Sequence, residues 1–137
     1  MKVVTLSNYE PGEMEAAMAH GKGYLTTHIL DTAKGCPAQG VRIELYKLRG
    51  TERQLMKTVV SDDDGRTDVP IIAKGSLEVG VYELQFAIGR YFNGAANPHS
   101  VPFIDIVPIR FGIGDADQHY HVPLLASPFS YSTYRGS

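Results

Sequence analysis

From Tyr24 onward this chain alternates apolar and polar side chains in short runs broken by Gly, Pro, Asp and Asn. Residues two apart share one face of an extended strand, so such runs predict strands with one inner and one outer face. Seven runs qualify: Tyr24–Asp31, Val41–Leu48, Arg53–Val60, Val81–Ile88, Phe103–Phe111, His119–Leu125 and Tyr131–Arg135. A very short run over Arg66–Val69 is an eighth candidate. Strands this short and numerous predict an all-β fold, an antiparallel sandwich of two sheets around one core.

The faces divide cleanly. In Val41–Tyr46 the side chains of Val41, Ile43 and Leu45 point one way, and in Val81–Ile88 those of Tyr82, Leu84, Phe86 and Ile88 do, leaving Glu83 and Gln85 outward. Pro102 and Pro108 withhold ladder donors, so the strand around Phe103 is predicted at a sheet edge. The alternation lapses over Ile88–Gly94, which predicts one short helical turn, the only helix of the body. Residues 1–22 read differently: Pro11-Gly12 breaks the segment, and Glu13–His20 offers good helix formers for only two turns. The expected organisation is therefore an extension over 1–22, flexible or partly helical, and one sandwich domain over 23–137.

Composition narrows the function classes. A chain of 137 residues suits one domain, and its net charge of −2, with scattered Lys and Arg, provides no field for nucleic acid. The single cysteine, Cys36, has no internal disulfide partner, and no Cys or His grouping has zinc-ligand spacing. No apolar run approaches the roughly 20 residues of a membrane span, and residues 1–23 lack the pattern of a secretion signal. A cytoplasmic protein without a bound metal is expected.

Strand parity gives the histidines a direction. In Tyr24–Asp31, Leu25 and Ile29 share the inner face, so His28 lies outward with Thr26 and Leu30; in His119–Leu125, Val122 and Leu124 point inward and His119, His121 and Leu125 outward. An outer face carrying both leucines and imidazoles suggests a pocket between subunits, closed by symmetry. Arg66 follows the turn signal Asp62-Asp63-Asp64-Gly65 and, read alone, is a charge neighbour of those aspartates. A calcium loop would need a later bidentate Glu, which is missing. The segment Tyr131–Ser137 alternates polar residues with two tyrosines and finishes Arg-Gly-Ser, unlike an ordinary frayed tail, and is read as a strand that touches something.

Four blocks then occur in order: Gly23-Tyr24-Leu25-Thr26-Thr27-His28-Ile29-Leu30-Asp31 with Gly35-Cys36-Pro37-Ala38, Asp64-Gly65-Arg66, His119-Tyr120-His121-Val122-Pro123-Leu124-Leu125, and Tyr131-Ser132-Thr133-Tyr134-Arg135-Gly136-Ser137. Together they resemble the 5-hydroxyisourate hydrolase family, transthyretin-like enzymes of urate breakdown. The resemblance implies a transthyretin-like antiparallel β-sandwich of two four-stranded sheets with one short helix. It also implies a homotetramer with active sites at the dimer-dimer interface, and a hydrolase that opens 5-hydroxyisourate without a cofactor. The family's catalytic positions fall on His28, Arg66 and His121, and its terminal tetrapeptide, which shapes the substrate site, on Tyr134, Arg135, Gly136 and Ser137. Transthyretin itself, a hormone carrier, lacks this histidine set and ending, so the blocks favour enzyme over carrier. His28 and His121 are candidates for activating water, with the choice of base open, and Arg66 for binding substrate oxygens. His119 shares the parity of His121 and is read as peripheral. No Gly-x-Ser-x-Gly elbow accompanies the serines, so direct attack by water is expected rather than an acyl-enzyme.

Overall fold

The alternation in Tyr24–Asp31 becomes a division of environments: Leu25, Thr27, Ile29 and Asp31 are buried, while Tyr24, Thr26, His28 and Leu30 are partly exposed. The computed structural model describes residues 21–94 and 100–137, so the predicted extension over 1–22 lies outside the described residues but for its last two. Among the described residues there are eight strands and one helix: β1 (Tyr24–Asp31), β2 (Cys36–Pro37), β3 (Arg42–Arg49), β4 (Glu52–Val60), β5 (Gly80–Ala87), α1 (Ile88–Asn93), β6 (Ile106–Ile113), β7 (His119–Ala126) and β8 (Tyr131–Thr133). They form two four-stranded sheets, ordered β2-β1-β7-β8 and β4-β3-β5-β6. The two-sheet sandwich with one short helix is as the sequence predicts, and β6 lies at an edge, where Pro108 costs least.

Three local expectations differ. The central pair of the first sheet, β1 and β7, is parallel rather than antiparallel. The whole second sheet intervenes between these strands in the chain, and a long crossover is what a parallel pair needs. Strand β2 escapes sequence reading because two residues carry no period; it exists through the pairs Leu30↔Pro37 and Asp31↔Cys36. Arg66–Val69 forms no strand: the Asp62 carboxylate accepts the N–H groups of Asp64 (2.9 Å) and Arg66 (3.1 Å), holding the segment in a turn.

The core lies between the sheets. Ile43, Leu45, Tyr82, Leu84 and Phe86 meet Leu25, Ile29 and Leu124, each at most 1% exposed. Burying a side chain of this size contributes about 1.5–3 kcal/mol relative to exposure. The Tyr82 hydroxyl donates to the Glu78 carbonyl (2.9 Å), so the buried ring carries no unmet donor. Where β1 ends, Asp31 is 1% exposed and its carboxylate accepts from the Ala33 and Lys34 amides and from the Tyr91 hydroxyl (2.8 Å). That set ties the first sheet to α1 on the second. Burial and then the bond to Asp31 push the Tyr91 hydroxyl up to about 12, so it remains a donor.

Candidate active site

The parallel register of β1 and β7 builds the site. Partners in one row project to the same side, so Tyr24 meets His119, Thr26 meets His121, and Leu30 meets Leu125 on the outer face of the first sheet. Tyr24 and His119 stack with ring centroids 4.0 Å apart and planes 6° from parallel. Thr26 Oγ1 lies 2.6 Å from His119 Nε2 and 2.8 Å from His121 Nδ1. One hydroxyl thus links both imidazoles, and with Nδ1 engaged the opposite nitrogen of His121, Nε2, remains for the cleft.

Arg66 arrives from the turn after β4. Gly65 has φ 73°, a left-handed conformation, and a Cβ there would meet the Ile29 carbonyl oxygen, which is why the turn carries glycine where it presses on β1. Its own carbonyl accepts the Ile29 amide (2.8 Å), locking the turn to the strand that bears His28. The Asp62, Asp63 and Asp64 carboxylates are the grouping with metal-ligand proximity among the described residues, all within 4.8 Å of one another. Asp62 already serves as the turn's internal acceptor.

The tail reaches the same face. Beyond β8 the antiparallel register continues to a single bridge, His121↔Gly136, in which the Gly136 amide donates to the His121 carbonyl (2.8 Å). A Cβ on Gly136 would stand 2.5 Å from His121 Cδ2, so only glycine lets the tail lie against the imidazole. The Arg135 side chain takes the other direction: its guanidinium carbon sits 4.4 Å from the Tyr120 ring centroid, and Nη2 donates to the Gln118 side-chain oxygen (2.6 Å).

These segments enclose a cleft of about 380 Å³ whose walls include Thr26, Arg66, Asp68, His119, His121 and Ser137. Of the residues nominated from sequence, Arg66, His121 and Ser137 line it and Gly136 backs His121. Tyr134 and Arg135 do not line it, and Tyr134 is 61% exposed. His28 lies one row beyond His121, outside the lining, beside the turn that carries Asp64 and Arg66. Burial and then the Arg66 charge hold His28 below its ordinary pKa, against the opposing pull of Asp64 and Asp62. His121 is lowered by burial, then by Arg66, His119 and His28, while a bond to the Thr26 backbone opposes the shift. At neutral pH both rings are neutral, the form that accepts a proton. Thr26 and His119 also line the cleft; sequence reading does not single out Thr26, although it shares the outward parity of His28, and it places His119 as peripheral.

Comparison with known proteins bears on this arrangement. The profile of the HIUase/Transthyretin family matches residues 25–136. The chain belongs to that family. A Rhizobium meliloti (strain 1021) protein named 5-hydroxyisourate hydrolase 2 is 54% identical over 116 residues, covering 84% of this chain and 97% of that one. The crystal structure of an (S)-allantoin synthase is similar with a TM-score of 0.78 at 47% identity; 87% of this chain is covered, but only 45% of that longer one. Transthyretin from Sparus aurata is similar with a TM-score of 0.71 at 30% identity, over 82% of this chain and 95% of that one. The chain is thus similar both to a protein named a hydrolase and to a transthyretin with this sandwich. No helix among the described residues is long and apolar enough to cross a membrane.

Proposed function

We propose that this protein is a hydrolase of urate breakdown that converts 5-hydroxyisourate and water to 2-oxo-4-hydroxy-4-carboxy-5-ureidoimidazoline. The observation that carries the reading is the convergence of His121, Arg66 and Ser137 from three separate segments on one cleft. The 54% identity to a hydrolase of that name supports the choice of substrate. The mechanism follows from the groups present. A neutral histidine takes a proton from water, and the water oxygen adds to the cyclic acyl carbon. Arg66 donates to the oxygen on which charge develops; the acyl carbon–nitrogen bond then breaks, and the departing nitrogen takes the proton back from the histidine. His121, which lines the cleft, and His28, beside Arg66's turn, share this work, and the 134–137 tail closes the substrate's far side through Gly136 and Ser137. The active assembly is a homotetramer, with the outer face of β1 and β7 at the contact between dimers, in the cytoplasm and without a cofactor.

The decisive experiment follows the decay of 5-hydroxyisourate, generated freshly from urate by an oxidase, with and without protein. We expect strong acceleration, reduced about 10²- to 10⁴-fold in His121→Ala and His28→Ala, the range one acid–base group contributes. Decay no faster than the spontaneous rate, together with binding of a urate-like anion, would make the protein a carrier instead.

A further inference from the structure

The hydroxyl of Thr26 has one hydrogen to give and stands between two imidazole nitrogens, 2.6 Å from His119 Nε2 and 2.8 Å from His121 Nδ1. It therefore donates to one ring and accepts from the other, which couples the two tautomers. In one arrangement His119 Nε2–H donates to Thr26 and Thr26 donates to His121 Nδ1, leaving an N–H on the cleft side of His121. In the other, His121 Nδ1–H donates to Thr26 and Thr26 donates to His119 Nε2, leaving a lone pair there. Only the second makes His121 a base.

Two features of the surroundings select it, and a third is compatible with it. Arg66 and Asp68 both line the cleft that His121 faces, but Arg66 is the leading charge acting on His121, and a fixed cation favours a lone pair over an N–H on the nitrogen turned towards it. The Thr26 backbone also raises the proton affinity of His121, as an acceptor on the β1 side does, and this favours the ring's hydrogen on that side. The stack of His119 on Tyr24, parallel to within 6° at 4.0 Å, fixes the ring with Nε2 towards Thr26, where it can accept the hydroxyl hydrogen once Thr26 accepts from His121. We infer that Thr26 and His119 are positioning residues that hold His121 in the Nδ1–H tautomer, presenting an unprotonated Nε2 to the substrate water. The relay extends the proposed hydrolase reading, on which its kinetic consequence rests. Its tautomeric claim is a property of the free protein.

The test uses both. Long-range ¹H–¹⁵N correlation spectra of the uniformly labelled protein at pH 7.5 identify which nitrogen of each ring carries the hydrogen. Wild type and Thr26→Ser should show His121 as Nδ1–H. Thr26→Val, which matches threonine in shape but removes the hydroxyl, and His119→Phe, which keeps the stack on Tyr24 but removes the acceptor, should show mixed tautomers. In steady-state hydrolysis of 5-hydroxyisourate, Thr26→Val should lose kcat by up to about 10²-fold with KM little changed, as for a misaligned base, and Thr26→Ser should recover most of it. An Nε2–H tautomer in wild type, or a spectrum unmoved by Thr26→Val, overturns the relay. Intact tautomers in a protein that does not hydrolyse 5-hydroxyisourate would overturn the hydrolase reading and leave the relay standing.

Discussion

At the scale of single residues, two imidazoles are held neutral beside a guanidinium. Burial comes first and the Arg66 charge second in holding His28 below its ordinary pKa, and the same two causes lead for His121. If the neutral ring is the base, as proposed, activity should persist as pH falls below about 6.5, the unperturbed histidine value, and disappear only as pH passes through the lowered ones. Folding stability shares this sign: the unfolded chain binds more protons in that window, so stability is present above it and lost as pH falls through it. Replacing Arg66 with Met removes one lowering cause and should move the acid limb of the kcat/KM profile to higher pH, while Arg66→Lys leaves the limb in place. A limb unmoved by Arg66→Met would show that the charge does not govern the histidines. Parity made the direction of His28 and His121 readable from the sequence. Their neighbours were not, since Thr26 meets His121 only through a pairing between residues 95 positions apart.

At the scale of elements, the outcome turns on which groups find partners. Tyr91 on α1 supplies the hydroxyl that completes the buried Asp31 carboxylate at the end of β1. Tyr91→Phe keeps the ring packing and removes that donor, leaving a buried acceptor one bond short. The expected cost is about 1–3 kcal/mol in urea or thermal unfolding, the range for an unsatisfied buried group; an unchanged midpoint would mean that water replaces the phenol. The strand ends show why boundaries read from sequence drift. Phe103–Asp105 carries strand-like residues, yet β6 begins only at Ile106, because the Asp105 carbonyl is taken by the Gly89 amide of α1 (2.8 Å). Likewise β8 ends at Thr133 and the tail makes one further bridge, with Arg135 drawn to Tyr120 and Gln118. Arg135 therefore serves as the tail's anchor in the folded chain, while Gly136 and Ser137 meet the cleft.

At the scale of the whole molecule, the outer face of β1 and β7 carries the cleft residues Thr26, His119 and His121. Leu30 and Leu125 are partners in one row of it, both partly exposed, on the strands that carry the histidines. If that face forms the dimer-dimer contact, Leu125→Arg places a charge in each copy of the contact and should convert tetramers to dimers in sedimentation, with hydrolysis falling together with assembly. Dimers that hydrolyse 5-hydroxyisourate at the full rate would place the complete site within a dimer. Full activity in an intact tetramer would remove Leu125 from the contact.

The amino-acid order settled the local matters: which segments are extended, which side chains face the core, where glycine must turn the chain at Gly65, and that the imidazoles lie outward. These follow from a period of two and from the conformational reach of individual residues, both properties of neighbours in sequence. The parallel pairing of β1 with β7, the two-residue strand β2, the sharing of one Thr26 hydroxyl between His119 and His121, and the divergence of Arg135 from Ser137 came only with the assembled fold. Each depends on register between distant segments, and register is fixed by the packing of both sheets on a common core.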